Sequence, residues 1–390
     1  MSSRKKIIRI TTVPISLKVL LRRQLNFMSR HFDVLGVSSP GPVLAEVAEQ
    51  EDVRVAAVEM TRSITPAKDL RAVWQLYRLF KKERPHIVHT HTPKAGLLGM
   101  LAAKLAGVPV RLHTVAGLPL MEASGNKRKL LEQVEKITYA AATMVYPNSS
   151  NLARFILQSR FCVPAKVKVL GNGSSNGIDT GFFVRTPLLE ETAAALKTSM
   201  GFTPENFVYV FIGRLVRDKG IEELVTAFAK LQQQHQHIRL LLVGPFEPDL
   251  DPLGDDTLRQ LKENESIITV GFQSDVRPYY LLSNVLAFPS YREGFPNVPM
   301  QAGCYDLPSI VTDINGCNEI ITDGVNGLII RPKSADDLFD AMQKLLVDEQ
   351  LYLQMKNIAR EMIVERYDQK FLWNIILQEY QQHLNYEPVP

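Results

Sequence analysis

The sequence has little cysteine and no long apolar run. Its 390 residues include three cysteines, Cys162, Cys304 and Cys317, whose spacing is not that of a metal or redox site. Free thiols in a reducing compartment are therefore expected. No apolar stretch reaches the roughly 18 residues of a membrane-spanning helix, and the apolar run near the N-terminus is too short for a signal peptide. These absences predict a cytoplasmic protein.

A strong excess of one charge is also missing. The chain has 45 Lys+Arg against 41 Asp+Glu, a net charge of +4, which is too small to indicate a nucleic-acid partner. The basic residues nevertheless cluster in the first half, at Arg4-Lys5-Lys6, Arg22-Arg23 and Lys127-Arg128-Lys129. These clusters are either solvated surface or a peripheral contact with an anionic membrane.

The length and the repeating pattern predict two domains. Because a domain usually has about 150 to 200 residues, 390 residues fit two of them. In both halves, short strand-like runs alternate with segments of helical period, which predicts an α/β fold with doubly wound parallel sheets. We place the domains at residues 1–190 and 200–369. Among the segments, 17–30 is predicted as one helix and 167–170 as a strand.

The first strand is not followed by the glycines of a dinucleotide-binding turn. The segment 11–16 reads Thr-Thr-Val-Pro-Ile-Ser, whereas a pyrophosphate bound there needs Gly-x-Gly-x-x-Gly. A dinucleotide-dependent dehydrogenase is therefore disfavoured. Doubly wound sheets bind ligands beyond the carboxyl ends of their strands, so we expect the active site in a cleft between the two halves.

A basic pair follows the first strand of the second half. Gly213 and Arg214 directly follow the run 207–212, and Lys219 stands just before a predicted helix. Two cations and the free N–H groups of a helix start can converge on one anion, and a diphosphate fits this description. Solvated loop charges are the alternative.

A second polar segment follows the strand-like run 286–288. Glu293 stands in a turn set by Gly294 and Pro296, where glycine lets the backbone approach a ligand closely. A carboxylate there can accept hydrogen bonds from sugar hydroxyls, and Gln301 in the following helix can reach a ribose. A surface loop with a helix cap is the alternative. The expected ligand contacts are Glu293, Gly294, Phe295, Pro296, Asn297, Val298 and Gln301.

Several motifs together carry a family resemblance. They are Gly-Arg-Leu-x-x-x-Lys-Gly at 213–220, the segment 271–275, Glu-Gly-Phe-Pro at 293–296 and Asn-Gly-Leu at 326–328. In this order they resemble glycosyltransferase family 4, retaining enzymes of the GT-B fold. The resemblance implies two Rossmann-like domains facing a central cleft, the first binding the acceptor and the second the donor. A final helix at 370–386 would cross back to the first domain.

The resemblance also implies how a nucleotide-sugar donor is held. Arg214 and Lys219 would neutralise the diphosphate, and Glu293 would bind the transferred sugar, so these three are the catalytic candidates. Two fixed cations would replace a metal ion, and no cofactor is implied. The further donor-binding candidates are Gly213, Gly244, Gly271, Gln273, Asp275, Gly294, Phe295, Pro296, Asn297, Val298 and Gln301.

Two positions depart from the family pattern. Gln301 stands where relatives have a second glutamate, and Ala116 stands where many have a histidine. His91 and His113 lie near strand ends and are candidates to replace that histidine. For the pair formed by His89 and His91, a metal site, a structural role and an acceptor contact remain open.

The acceptor is predicted from the first half. Within the family, the chain resembles bacterial transferases that extend undecaprenyl-diphosphate-linked sugars for capsule, O-antigen or glycoprotein assembly, often with a UDP-linked N-acetylhexosamine. His91, Lys94, His113 and Gly117 are the acceptor-binding candidates. The apolar loop 117–121 and the basic residues after it fit a lipid diphosphate at a membrane surface.

Two alternatives to glycosyl transfer remain open. A non-hydrolysing UDP-sugar epimerase would convert a sugar nucleotide without an acceptor, and a non-catalytic sugar-nucleotide-binding protein would keep Arg214 and Lys219 without turnover. Assays with and without acceptor distinguish these activities from glycosyl transfer.

Overall fold

The computed structural model describes residues 4–63, 65–121, 123–247, 249 and 251–385. It divides the chain into two compact units, one formed by the residues up to Gly177 with those from Gln369 onward, the other by Ile178–Asp368. The division between residues 177 and 178 lies N-terminal to the boundary predicted from the sequence, between residues 190 and 200. Ile178 already belongs to the second unit because its amide donates to the Tyr367 carbonyl (2.8 Å) and its side chain is buried in that unit's core.

The first unit is built on a six-stranded sheet of order β3-β2-β1-β4-β5-β6, in which all pairings are parallel. Helices connect the strands, and the last helix of the chain belongs to this unit. The elements are β1 Lys6–Ile10, α1 Pro14–Leu20, α2 Gln24–Ser29, β2 Asp33–Ser38, α3 Pro42–Glu51, β3 Arg54–Ala57, α4 Pro66–Glu83, β4 Ile87–Thr90, α5 Pro93–Ala106, β5 Val110–Val115, α6 Gly125–Ala141, β6 Met144–Pro147, α7 Ser150–Gln158 and, at the end of the chain, α16 Gln369–Asn385.

The second unit repeats this topology with the order β12-β11-β10-β7-β8-β9, again parallel throughout. The prediction of two doubly wound parallel sheets is thereby confirmed. The elements are α8 Pro187–Ser199, β7 Phe207–Ile212, α9 Ile221–Gln232, β8 Ile238–Val243, α10 Asp255–Glu263, β9 Ile267–Thr269, α11 Arg277–Leu281, β10 Val285–Phe288, α12 Asn297–Gly303, β11 Ser309–Thr312, α13 Cys317–Ile320, β12 Gly327–Ile330, α14 Ala335–Val347 and α15 Glu349–Tyr367.

Strand β1 shows how the first unit buries both faces of its sheet. Successive side chains of a strand point to opposite faces. Ile8 and Ile10 enter a core cluster with side chains of α4 and α5, whereas Ile7 enters another with Leu372 and Ile376 of α16. Arg9 is also buried in β1, at 1% exposure, which is uncommon for an arginine.

Two segments differ from their predictions. The single helix expected over 17–30 is divided into α1 and α2, because Arg23 adopts a left-handed conformation with φ of 62°. The strand expected over 167–170 is reduced to one bridge between Val167 and Val145 of β6. Apolar patterning predicted the burial of these segments but not the local backbone geometry that interrupts them.

No helix in the described ranges has both the length and the apolar composition needed to cross a bilayer.

Candidate functional site

The strand order of the second unit creates one point where the chain reverses its direction of winding. β7 pairs with β8 on one side and with β10 on the other. Open α/β sheets bind ligands beyond the carboxyl ends of the strands at this point. The loop after β7 contains Arg214 and Lys219, and the loop after β10 contains Glu293. The two motifs singled out in the sequence therefore meet at the same edge.

Lys219 and Glu293 form the centre of this edge. The Lys219 Nζ lies 2.6 Å from the Glu293 Oε1, and the two side chains are only 14% and 16% exposed. The same carboxylate oxygen accepts a hydrogen bond from the buried Ser290 hydroxyl at 2.9 Å. A cation and an anion are thus fixed side by side, where water screens them little.

Arg214 lies nearby in an outer position. Its guanidinium forms an ion pair of 2.8 Å with Glu247, and the two side chains are 42% and 31% exposed. The hydrogen bond to Glu247 is the main cause that raises the pKa of Arg214, and the Asp218 and Glu293 carboxylates act in the same direction. Arg214 is therefore within electrostatic reach of the Lys219 pair. The sequence analysis did not identify Glu247 as the partner of Arg214. The sequence offers one indication of it, an acidic residue shortly after the end of β8.

Glycines bring three neighbouring loops into contact beside Arg214. A Cβ atom at Gly244 would lie 1.8 Å from the Gly213 carbonyl oxygen, so only glycine fits there. The Gly244 amide donates to the Gly271 carbonyl at 2.9 Å. The structure thus joins these three predicted donor-binding glycines into one continuous backbone surface.

The loop containing Glu293 is braced by the loop after β11. The Asn315 side-chain amide donates to the Gly294 carbonyl. Gly316, with φ of +78°, packs so closely that a Cβ atom would lie 2.7 Å from the same carbonyl oxygen and 2.9 Å from Pro296 Cδ. The Phe295 ring contacts Tyr367, with 5.5 Å between ring centroids. Glu293 is therefore presented by a turn with little freedom to move.

The helix that follows this loop presents further predicted positions. α12 begins at Asn297, which is exposed, and continues through the partly buried Val298. Gln301 accepts a hydrogen bond of 2.9 Å from the Tyr280 hydroxyl. One lone pair of its amide oxygen is therefore used within the unit.

Gln273 and Asp275 make their side-chain bonds within the protein. The Gln273 amide donates to the Val270 carbonyl at 2.8 Å. Arg277 binds both oxygens of Asp275, at 2.8 and 2.6 Å, and this hydrogen bonding lowers the pKa of Asp275. Both side chains therefore have partners within the second unit.

The predicted acceptor residues belong to the first unit, and two of them are buried. His91 is 3% exposed and accepts a hydrogen bond of 2.8 Å from the Arg9 Nε. His113 is 2% exposed and lies 2.7 Å from the Thr90 hydroxyl. Burial lowers the pKa of His91 well below its ordinary value and that of His113 to about 4. Both imidazoles are therefore enclosed within the first unit and are not open to solvent.

Lys94 and Gly117 are placed differently. Lys94 forms an ion pair of 2.6 Å with Asp69, at side-chain exposures of 11% and 15%. Among the described residues, apart from Gly117 and its two chain neighbours, no atom lies within 4 Å of the position that a Cβ atom would take at Gly117. Gly117 is thus the predicted acceptor position with open space beside its backbone.

His89 uses both ring nitrogens within the unit. Its Nδ1 lies 2.5 Å from the Tyr380 hydroxyl, and its Nε2 lies 2.8 Å from the Thr114 hydroxyl. Across the part of the chain that the structure describes, no three His, Cys, Asp or Glu side chains are grouped as metal ligands.

Comparison with protein families matches both units. Residues 21–173 match the family described as "Glycosyl transferase 4-like domain", and residues 194–362 match "Glycosyl transferases group 1". The match boundaries leave residues 174–193 between the families.

Curated relatives cover most of the chain. A capsular polysaccharide biosynthesis glycosyltransferase, CapM, of Staphylococcus aureus is 32% identical over 95% of each chain. A UDP-Gal:alpha-D-GlcNAc-diphosphoundecaprenol alpha-1,3-galactosyltransferase of Escherichia coli is 28% identical over 78% of this chain and 77% of its own. An N,N'-diacetylbacillosaminyl-diphospho-undecaprenol alpha-1,3-N-acetylgalactosaminyltransferase of Campylobacter jejuni is 26% identical over 84% of each.

Solved structures share the architecture at lower identity. Anabaena HepE in complex with UDP has a TM-score of 0.80 and 17% identity, over 97% of this chain and 100% of that one. A glycosyltransferase from Rickettsia africae has a TM-score of 0.81 and 19% identity, over 98% and 100%. These likenesses concern the fold, which is GT-B. The 32% identity to a glycosyltransferase over 95% of the chain and the two family matches show that the protein belongs to glycosyltransferase family 4.

Proposed function

We propose that this enzyme transfers a hexose or N-acetylhexosamine from a UDP-linked donor to a lipid-diphosphate-linked saccharide, with retention of anomeric configuration. The product would serve bacterial capsule, O-antigen or related glycan assembly. The observation that carries the proposal is the pairing of Lys219 with Glu293, beside Arg214, at the carboxyl edge of β7 and β10. An anion-binding group and a sugar-binding group stand next to each other there.

The donor would be bound by separating the Lys219–Glu293 ion pair. A diphosphate oxygen arriving at Lys219 accepts from its ammonium group, and Arg214 adds a second cation at the outer side. Glu293 then accepts hydrogen bonds from hydroxyls of the sugar. Two fixed cations stabilise the negative charge that develops on the leaving diphosphate, and this is the role a metal ion has in other transferases. We therefore propose a metal-independent reaction.

The transfer itself would be a front-face displacement. The bond between the anomeric carbon and the diphosphate oxygen breaks while the acceptor oxygen attacks from the same face. The departing diphosphate oxygen takes the proton of the acceptor hydroxyl, so no protein nucleophile is required. The cations at Arg214 and Lys219 act most strongly when charge has moved onto the diphosphate, which makes them selective for the transition state.

The proposed substrates agree with those named for similar proteins. HepE was crystallised with UDP, and the relatives from Escherichia coli and Campylobacter jejuni are named for sugar transfer to undecaprenyl-diphosphate-linked acceptors. The relative from Staphylococcus aureus is named for capsule biosynthesis. These names support the substrate class of this chain, while its own sugar and linkage need direct assay.

A membrane-facing surface on the first unit would bring the enzyme to its lipid-linked acceptor. Helix α6 exposes Lys127, Arg128 and Lys129 together with Leu130 and Ile137, which are 49% and 46% exposed. Cations beside apolar side chains are typical of contact with anionic lipid. We propose that this surface brings the enzyme peripherally to the inner face of the cytoplasmic membrane.

Vesicle flotation tests the membrane proposal. Wild type should float with vesicles containing phosphatidylglycerol at low salt, and the double variant Lys127→Glu, Arg128→Glu should bind on the order of tenfold or more weakly. Lys81→Glu with Lys82→Glu, a matched charge reversal on the exposed end of α4, should leave binding unchanged. Equal binding by both double variants would count against the α6 surface.

The activity is tested with labelled sugar nucleotides in the presence and absence of lipid-diphosphate saccharides. Transfer that depends on the acceptor supports the proposal. A donor epimerised without acceptor would indicate the epimerase alternative, and binding of the donor without turnover would indicate a non-catalytic sugar-nucleotide-binding protein.

A further inference from the structure

Arg9 is a fully buried cation in the first unit. It lies in β1 on the face that α16 covers, with 1% of its surface exposed. Its Nε donates to the His91 Nε2 at 2.8 Å and its Nη2 donates to the Gln24 side-chain oxygen. Its Nη1 is buried and has no hydrogen-bond partner among the residues that the structure describes. An arginine retains its proton even when buried, so a full positive charge is enclosed here.

No carboxylate balances this charge within the described residues. The Tyr380 ring lies 5.8 Å from the guanidinium carbon, but burial raises the pKa of its hydroxyl to about 12, so this group is neutral at physiological pH. Glu379 is the adjacent acidic residue, but its carboxylate is bound by Lys168 and by the Tyr146 hydroxyl. A buried cation without a counter-charge costs several kcal/mol, which favours an anion from solution.

Unpartnered hydrogen-bond donors line a single cavity beside Arg9. Arg9, His91 and Ser175 all line it. Within the described ranges, the Arg9 Nη1, His91 Nδ1 and Ser175 Oγ are each buried without a hydrogen-bond partner. Because the His91 Nε2 accepts from an arginine, which can only donate, the imidazole proton lies on Nδ1. The cavity therefore has two obligatory donors and a hydroxyl able to donate.

The size of the cavity restricts its occupant. The cavity volume is about 10 Å³, which is close to the smallest volume that holds one water molecule. Leu170, Leu372 and Ile376 close the apolar side. A phosphate or a carboxylate-bearing metabolite is too large. One water molecule would fit and could satisfy the donors, but it would leave the charge of Arg9 unbalanced.

We propose that this cavity is a binding site for one monatomic inorganic anion, with chloride as its physiological occupant. The anion would connect β1, the residue after β4 and the loop at Ser175, all within the first unit. This inference is independent of the proposed sugar transfer and predicts that chloride stabilises the first unit.

Unfolding in chloride and gluconate tests the proposal. Both tryptophans of the sequence, Trp74 and Trp373, lie in the first unit, so their fluorescence reports its unfolding. At constant ionic strength, replacing sodium gluconate with sodium chloride should raise the unfolding temperature by an amount that grows logarithmically with chloride. Identical unfolding temperatures in the two salts at every concentration would overturn the proposal.

Two variants assign the effect to this cavity. Arg9→Met should abolish the chloride-dependent rise, whereas Arg30→Met, which removes the same charge from an exposed position of the first unit, should retain it. If Arg9→Met does not fold, Ser175→Ala removes one donor and should require severalfold more chloride for the same rise. A chloride response unchanged in Ser175→Ala and in any folded Arg9→Met would overturn the assignment.

Crystals grown in sodium bromide provide a direct view. An anomalous bromide peak in contact with the Arg9 Nη1 and the His91 Nδ1 would support the proposal. A water molecule at that position, without anomalous signal, would overturn it.

Discussion

Lys219 and Glu293 form an ion pair, with 2.6 Å between Nζ and Oε1. The two residues lie on loops that follow different strands. Their proximity determines the chemistry available at this edge, because an anion and a polyol can be bound by adjacent groups. Ser290 and the close contact at Gly316 hold the carboxylate in place. Arg214, in contrast, is partly exposed and paired with Glu247, and such an exposed pair is worth about 1 kcal/mol or less. Arg214 can therefore exchange this partner for a diphosphate at little cost.

Replacing Arg214 tests its role in turnover. Arg214→Ala should reduce kcat by on the order of a hundredfold or more, the usual loss when one preorganised charge-stabilising donor is removed. Steady-state kinetics with saturating donor measure this change. Arg217→Ala, in the same loop but with a 51% exposed side chain paired to Glu222, is the matched control and should stay within a few-fold of wild type. Near-normal turnover of Arg214→Ala would remove this residue from the site.

Gln301 is tested by restoring the family glutamate. In Gln301→Glu, one carboxylate oxygen can still accept from Tyr280 while the other carries charge toward a ribose, and charged acceptors form the stronger hydrogen bonds. We expect UDP to bind severalfold more tightly, as measured by calorimetry. Tyr280→Phe, which removes only the partner hydroxyl, should change affinity less. An unchanged affinity of Gln301→Glu would argue against a ribose contact.

The regular elements were the part most open to prediction from sequence. The run 207–212 is a strand with the same bounds in the structure, and the run 286–288 lies within the strand Val285–Phe288, because continuous apolar runs are typical of strands buried on both faces. The helix break at Arg23 depends on one backbone conformation that apolar patterning does not encode. Contacts between loops, such as those of Glu247 with Arg214 and Asn315 with Gly294, join distant segments, so sequence spacing could not predict them.

The packing of the two loops around Gly316 gives a test at the level of elements. Gly316→Ala would place a Cβ atom against the Gly294 and Pro296 positions, displacing the turn that presents Glu293. We expect donor affinity to fall at least tenfold. Gly324→Ala is the control, because Gly324 has a similar φ of +75° but no described residue beyond its two chain neighbours has an atom within 4 Å of a Cβ there. Both should lose about 1–2 kcal/mol of stability from backbone strain.

Donor titrations with both glycine variants distinguish an effect of backbone strain, which both share, from displacement of the Glu293 turn, which only Gly316→Ala should cause. Equal donor affinity in Gly316→Ala and Gly324→Ala would show that the contact at Gly316 does not position the Glu293 turn for donor binding.

At the scale of the whole molecule, one GT-B chain combines two units with similar topology and different side chains at their strand ends. The second unit gathers ion pairs at its switch point, while the first buries three histidines, His89, His91 and His113. The sequence left a structural role, a metal site and an acceptor contact open for His89 and His91, because a histidine near a strand end looks the same whether it faces solvent or the interior. Burial had to be seen in the structure.

The buried histidines predict an acid-sensitive fold. His113 has a folded-state pKa of about 4 against an ordinary value of 6.5, so protons bind the unfolded chain first. Its contribution to stability is present above pH 6.5 and is lost as the pH falls toward 4. The loss from His113 is about 3 kcal/mol, and His89 and His91 act in the same direction.

Tryptophan-detected urea unfolding between pH 7 and 4.5 measures this loss. His113→Asn retains a hydrogen-bonding atom for Thr90 without the titratable ring, so its stability should vary less with pH. His237→Asn, at an exposed position, should follow the wild-type curve. Parallel curves for His113→Asn and wild type would contradict the assignment.

The most direct test of the central claim is transfer with stereochemical analysis. The purified chain is incubated with labelled UDP-hexoses and UDP-N-acetylhexosamines, a lipid-diphosphate-linked saccharide and EDTA, and the anomeric configuration of the product is determined by NMR. We predict an α-linked product from an α-linked donor, formed only when acceptor is present and at an undiminished rate in EDTA. A β-linked product, or epimerised donor without transfer, would contradict the account.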